Sequence, residues 1–164
     1  MKSYIGRFKT VHIRNSAKAI IINGNNILLT KNQDDEGYFY LCPGGGQEHG
    51  ETFHSTLNRE CLEEIGYQVE VGELLHIREY IGKNHEYSAS DLGVHQIEYY
   101  FLCTLKNELD DPAEPSNPDN LQIGIEWVSI KDLMEFRLYP KHLREYIIKY
   151  SNQEKSPVYL GDIN

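Results

Sequence analysis

Four glutamates and an arginine fall in one short stretch: Glu51, Arg59, Glu60, Glu63 and Glu64. Residues three and four apart are neighbours on a helix surface, so Glu60, Glu63 and Glu64, at i, i+3 and i+4, share a stripe if the segment is helical. Three anions on one stripe repel and weaken an isolated helix. Such a stripe is best explained by something positive resting on it. Oxygen-only donors suit hard cations, and magnesium takes a few carboxylates together with substrate phosphates. Just upstream stand Pro43, Gly44, Gly45 and Gly46, which break regular structure and permit close backbone approach.

A helix that carries these acids is legible locally. Thr52 is the expected N-cap, with Glu51 near the positive end of the helix dipole. Leu57, Cys61 and Ile65 recur every four residues and form an apolar stripe beside the acidic one. One flank is therefore expected to pack on a sheet while the other faces a cleft. Gly66 suits the left-handed residue that closes the helix. The plainer alternative is a solvated acidic face with a cap and a stop, the usual meaning of a charge run. The spaced Gly45, Glu51 and Arg59 favour the chemical reading.

These positions also match a known signature. The chain resembles the Nudix hydrolases, whose box reads G-x5-E-x7-R-E-U-x-E-E-x-G-U, with U aliphatic. Gly45, Glu51, Arg59, Glu60, Glu63, Glu64 and Gly66 occupy its fixed positions, while Cys61 and Tyr67 depart at the U positions. The lead-in Tyr40-Leu41-Cys42-Pro43-Gly44-Gly45-Gly46 is similar to the family's W-x-L-P-G-G-G, with Tyr40 and Cys42 replacing Trp and Leu. The close match covers residues 40 to 67. The resemblance implies an α/β/α sandwich with a mixed β-sheet, and hydrolysis of a nucleoside diphosphate linked to another moiety. It also implies Mg2+ as cofactor, with Mn2+ as a substitute. Glu60 and Glu64 are the first expected metal ligands. Glu63 would ligate a further ion or take a proton from water, and Glu51 would add an inner or outer contact. Arg59 is expected to clamp a carboxylate. Gly44, Gly45 and Gly46 are expected to approach the substrate. Arg78 is a weaker phosphate-binding candidate, and Glu98 a weaker ligand or base; solvent exposure is an equal reading of both. Asp119, His85, His95, Tyr38, Tyr40 and Tyr80 are weaker still. A non-catalytic nucleotide-binding sensor is the competing reading, which loss of a box glutamate would favour; none is lost.

The rest of the chain sets the frame. At 164 residues, one domain over 1–150 is expected, with a polar, frayed tail over 151–164 in which Val158, Tyr159 and Leu160 are candidates to dock. Apolar residues make up 40% and no run spans a membrane. The basic N-terminus lacks the apolar core of a secretory signal, and Cys42, Cys61 and Cys103 lack metal-like spacing. A cytoplasmic protein with reduced thiols is expected. The net charge of −9 disfavours nucleic-acid polymers and anionic membranes as partners, but not small phosphorylated nucleotides, because bound cations reverse the local sign. A homodimer is compatible with these features.

The elements follow from periodicity. Residues 17–22 and 27–29 predict a hairpin across Asn23-Gly24-Asn25-Asn26. Tyr38 to Leu41 is a short strand. The helix runs over about 52–65. A strand over 67–81 has Val69, Val71, Leu75, Ile77 and Ile81 as inward candidates. A polar connection spans 83–93. The strand over 94–105 turns Ile97, Tyr99, Phe101, Cys103 and Leu105 to one face. A long acidic loop spans 106–120, followed by a strand over 123–130 and a short helix near 131–136. A last helix has Pro140 in its first turn and Leu143, Tyr146, Ile147 and Tyr150 on one face.

Overall fold

The computed structural model describes residues 12–106 and 113–164. The expectations for the N-terminal segment and for part of the acidic loop lie outside them. The run of β-branched residues after Lys18 builds the central strand β1, Arg14–Asn23, which turns at Gly24-Asn25 into β2, Asn26–Asp34. These are followed by β3 (Gly37–Leu41) and a three-residue strand β4 (Gly44–Gly46). Next come helix α1 (Phe53–Ile65), the long strand β5 (Val69–Ile81) and a short helix α2 (Ser88–Asp91). The chain continues through β6 (His95–Leu105), β7 (Gln122–Ser129) and β8 (Leu138–Tyr139) to helix α3 (Leu143–Ser151) and β9 (Tyr159–Asp162).

The strands form one mixed sheet in the order β8-β3-β2-β1-β6-β5-β9, with β4 on β1 and β7 on β2. Strand β1 divides its partners. It pairs with β2 only at Ile22 and Asn23, beside the turn, and runs parallel to β6 from Arg14 to Ile21. Where β2 diverges, β4 takes its place opposite Ser16, Ala17 and Lys18. The glycine run expected to break structure thus pairs with β1, and this position fixes it against the centre of the sheet.

Both faces are covered. Leu57, Cys61 and Ile65 of α1 are fully buried against Ala17, Ala19, Ile21, Leu28, Phe101 and Cys103. The two alanines let the helix axis come close to β1, and full burial of Leu57 and Ile65 contributes about 1.5–3 kcal/mol each. On the other face Ile20, Leu29, Tyr40 and Tyr100 pack under Leu143 and Ile147 of α3. The α/β/α layering expected from the box is what the chain adopts. All three cysteines are buried and unlinked. Among the described residues no helix is long and apolar enough to cross a membrane.

Three expectations are corrected. In β5, Val69 is buried as expected, but the other buried residues are His76, Arg78 and Tyr80 rather than the alternating aliphatics. The two one-residue register shifts between Val71 and His76 cancel, so Ile77 still shares the face of Val71; burial in the second half instead falls on the even-numbered face, where His76 and Arg78 lie opposite Tyr100 and Glu98. The tail does not fray throughout: from Tyr159, one of the docking candidates, to Asp162 it forms β9, parallel to β5, with Tyr159 opposite Ile77 and Asp162 opposite Glu79. Finally, Pro140 precedes the last helix rather than opening it: the Leu143 amide donates to its carbonyl, and the helix starts at Leu143.

Candidate active site

The box helix is fixed at both ends by its own residues. Thr52 accepts the Ser55 amide at 3.1 Å, and Ser55 Oγ accepts the Thr52 amide at 2.8 Å, a reciprocal cap. At the other end Gly66 takes φ 71°. A Cβ there would lie 1.8 Å from the Ala113 carbonyl oxygen, so only glycine lets the following loop fold back. That loop returns over the helix end, where the Asn117 amide donates to the Glu63 carbonyl.

Arg59 organises the acids. Its Nε donates to Glu51 Oε1 at 2.7 Å and one Nη to Glu51 Oε2 at 3.0 Å, a bidentate fork. The same Nη reaches the Gly46 carbonyl at 2.9 Å, while the other bonds Glu60 at 2.8 Å and Glu63 at 3.4 Å. Arg59 is therefore the clamp the sequence suggested, but it holds three carboxylates and a backbone carbonyl. Glu51 also accepts from the Glu48 amide and the Thr56 hydroxyl. Arg59 first, then the Glu48 amide, holds its carboxyl down at about 2. Glu51 thus holds Arg59 and the turn through hydrogen bonds to both of its carboxylate oxygens.

Glu64 sits in a different environment. It is buried, and its Oε2 accepts the Gly44 amide at 2.8 Å. Burial pushes its carboxyl up to about 7, against the opposing pull of the Lys18 ammonium and the Gly44 amide. Asp119, on the returning loop, lies near enough for its charge to raise Glu64 further. The glycine run meets these acids at close range. A Cβ on Gly45 would lie 2.6 Å from the Glu60 carboxyl carbon. Gly44 takes φ +127°, and a Cβ there would strike the Ala17 carbonyl oxygen at 2.1 Å.

The three box glutamates do not draw to a single point. Among the described residues no three acidic, histidine or cysteine side chains are arranged to hold a metal ion. One Nη of the Arg59 guanidinium bridges Glu60 and Glu63, while Glu64 turns to the Gly44 amide. The donor chemistry nonetheless fits a hard divalent cation. Glu60 and Glu64 are both carboxylates at the glycine run, and Glu64 is a buried acid with one amide hydrogen bond to ease its charge.

For two weaker candidates the solvent-exposed reading does not hold. Arg78 and Glu98 face neither solvent nor an open cleft; they are 6% and 5% exposed and paired to each other at 2.6 Å. Glu98 also accepts from Tyr100 and from Gln96, and Arg78 donates to the Ile163 carbonyl at 2.5 Å. Burial opposes ionisation of Glu98, but Arg78 and Lys18 hold its carboxyl below the usual range. The pair ties β5, β6 and the C-terminal segment together. His85 bonds Asp162 at 2.5 Å and stacks on Tyr80, so both serve the same clasp. Nε2 of His95 is buried without a partner among the described residues. Tyr40 is buried with its hydroxyl on Glu126, and Tyr38 lies exposed beneath Lys31.

The family model of the NUDIX domain matches residues 12–148. The chain belongs to the Nudix hydrolase family. Solved structures share its fold at low identity. A NUDIX hydrolase from Nitrosomonas europaea superposes with a TM-score of 0.66 at 17% identity, over 90% of this chain and 94% of that one. An ADP-ribose pyrophosphatase from Streptococcus suis gives 0.60 at 21%, over 93% and 100%. A MutT NUDIX hydrolase from Burkholderia pseudomallei gives 0.64 at 21%, over 84% and 98%. Within this Nudix hydrolase, one site residue that sequence reasoning passed over is Lys18. Its Nζ donates to the Gly44 carbonyl at 2.6 Å, and its position between Ala17 and Ala19 in a buried strand was the available signal.

Proposed function

We propose that this Nudix hydrolase cleaves a P–O–P linkage in a small nucleoside diphosphate-linked compound or nucleoside triphosphate, with Mg2+ as its cofactor and Mn2+ able to replace it. The observation that carries this reading is the meeting of the Gly44–Gly46 run with Glu60 and Glu64: an acidic cluster on a helix flank abuts bare backbone able to approach a compact anion. Glu60 and Glu64 would hold the ion, with Glu63 beside them. When bound, the cation neutralises charge that spreads over the phosphoryl oxygens and polarises the attacking water.

The chain's own residues do the rest. Arg59 and Glu51 fix the turn and orient Glu60, so the carboxylate is in place before substrate arrives. The Gly44 amide fixes Oε2 of Glu64, and burial leaves this side chain able to hold or release a proton near neutral pH. ADP-ribose is one compound for a substrate panel, since a protein of the same fold is described as an ADP-ribose pyrophosphatase. The test is hydrolysis of ADP-ribose, a dinucleoside polyphosphate and a nucleoside triphosphate in oxygen-18 water. Magnesium-dependent turnover with label on one phosphoryl product is the expected result. Efficient dephosphorylation of a nucleoside monophosphate, with every diphosphate compound untouched, overturns it.

A further inference from the structure

Acids outnumber lysines and arginines 25 to 16 in this chain. Most cations near the sheet are accordingly matched: Lys31 with Glu126, Arg59 with the box acids, Arg78 with Glu98 and Arg137 with Asp34. Two on β1 are not. Arg14 and Lys18 stand four residues apart on one strand, so they share a face. Among the described residues neither has a carboxylate at ion-pairing distance. Lys18 is half-buried, and the hydrogen bond of its Nζ goes to the Gly44 carbonyl at 2.6 Å. Arg14 lies across Gly46: a Cβ there would be 2.6 Å from Nη2 and 2.7 Å from Nε.

The two cationic heads are therefore held at the two ends of the Gly44–Gly46 run. Strand rise sets those ends about 7 Å apart, a separation that a two-phosphate group bridges. Gly44 joins the cations to the acids. Its amide donates to Glu64 while its carbonyl accepts from Lys18, so one residue links the buried carboxylate to the half-buried ammonium. A half-buried ammonium satisfied by a single carbonyl keeps two donors for an incoming anion.

We propose that Lys18 and Arg14 are phosphate-binding residues that grip the two phosphoryl groups of the substrate along the glycine run, Lys18 at the end nearest Glu64 and Arg14 at the other. The assignment rests on the diphosphate reading of the site. It makes the length of the anion a selective feature: a monophosphate engages one cation, a diphosphate both.

The experiment compares Lys18→Met, Arg14→Met and the exposed Lys131→Met as control, using whichever diphosphate compound the native enzyme turns over. KM is measured, along with competitive inhibition by imidodiphosphate and by the free nucleoside. In Lys18→Met, KM and the imidodiphosphate inhibition constant are expected to rise on the order of ten- to hundred-fold, the value of a hydrogen bond to a charged group. Arg14→Met, being exposed, moves them less. Nucleoside inhibition and Lys131→Met stay at native values, and Lys18→Arg recovers most of the loss. Should Lys18→Met fail to fold, Lys18→Gln carries the same comparison. Unchanged imidodiphosphate inhibition in both variants, or equal weakening for imidodiphosphate and nucleoside, overturns the assignment. A native enzyme that hydrolyses no diphosphate compound strikes instead at the reaction on which the assignment rests.

Discussion

Adjacent glycines in the run are predicted to fail in opposite ways when each gains a methyl group. At Gly44 the new Cβ would lie 2.1 Å from the Ala17 carbonyl oxygen and 2.9 Å from Lys18 Cα, with φ at +127°. All of those neighbours are backbone of the central strand, which cannot yield. Strained φ costs about 1–3 kcal/mol and overpacking a further ~1–3 kcal/mol. A total of about 4 kcal/mol corresponds to a fall in Tm of roughly 10 °C for a chain of this size. At Gly45 the Cβ would lie 2.6 Å from the Glu60 carboxyl carbon, the end of a flexible side chain. Glu60 can swing away at the cost of its partly exposed pair with Arg59, about 1 kcal/mol or less. Gly45→Ala should therefore stay within about 3 °C of the native Tm. Its kcat should nevertheless drop by roughly two orders of magnitude, because the carboxylate is displaced. Thermal unfolding by circular dichroism and turnover of the diphosphate substrate measure both quantities. If the effect runs through Glu60, adding Glu60→Gln to Gly45→Ala costs little more. Native kcat in Gly45→Ala, or an unchanged Tm in Gly44→Ala, would refute the geometry on which this reasoning stands.

Glu60→Gln and Glu64→Gln are each expected to lower kcat by roughly a hundred-fold with the fold intact, and excess EDTA to abolish turnover until Mg2+ is restored; stopped assays and circular dichroism check this. Without metal, stability should depend on pH through Glu64. Its carboxyl is raised from 4.5 to about 7, so the folded state holds the extra proton. That contribution is complete below about pH 4.5 and is lost as pH rises through about 7, by at most about 3 kcal/mol. Urea unfolding in EDTA should show the decline, and Glu64→Gln should flatten it; a native protein whose metal-free stability rises through this window contradicts the assignment. In the Arg78–Glu98 pair, Arg78→Met alone should destabilise by about 3–5 kcal/mol, because it strands a buried carboxylate, while Arg78→Met with Glu98→Leu should recover much of the loss. Denaturant midpoints decide between the two.

Legibility in the sequence follows the range of the interactions. Helix α1 was readable to its caps because Thr52, Ser55, the four-residue apolar repeat and Gly66 all act within one or two turns. The hairpin of β1 and β2 was readable for the same reason, since its turn is local chemistry. The burial of Arg78 and Glu98 was not. Their partnership depends on the register of β5 against β6, which no spacing within either strand encodes. In the second half of β5 burial then fell on the even-numbered face, which simple alternation had turned outward. Strand β9 was missed because its partner, β5, lies some eighty residues earlier, and Tyr159 and Leu160 read equally well as surface residues in a polar tail. Within the site, the acids were legible by type and spacing. Their actual grouping around Arg59 was not, since it is set by the return of Gly46 and Glu51 to the helix flank.

That grouping explains how one helix can carry acids with different duties. Glu51, just before the N-cap of α1, and Glu64, in its last turn, begin as ordinary carboxylic acids. Arg59 and the Glu48 amide hold the first at about 2, which makes it an anion at every physiological pH and a fixed strut for the turn. Burial lifts the second to about 7, so its charge responds to what arrives beside it. Environments that drive two carboxyls apart in this way separate structural from reactive roles without changing residue type. The separation also removes the difficulty of three anions on one stripe. Arg59 offsets the repulsion between Glu60 and Glu63, and burial lets Glu64 stay neutral until a cation or a proton acceptor is present. The same logic gives Arg59→Lys a specific signature. A point charge cannot hold Glu51 in a fork and still reach Glu60 and the Gly46 carbonyl. The variant should keep its α1 helix but lose order in the turn from Gly46 to Glu51. Hydrogen exchange would show this as faster amide exchange at Glu48, whose amide donates to Glu51, with protection at Leu57 and Cys61 retained. Native protection at Glu48 in Arg59→Lys would mean that the turn does not depend on the guanidinium fork.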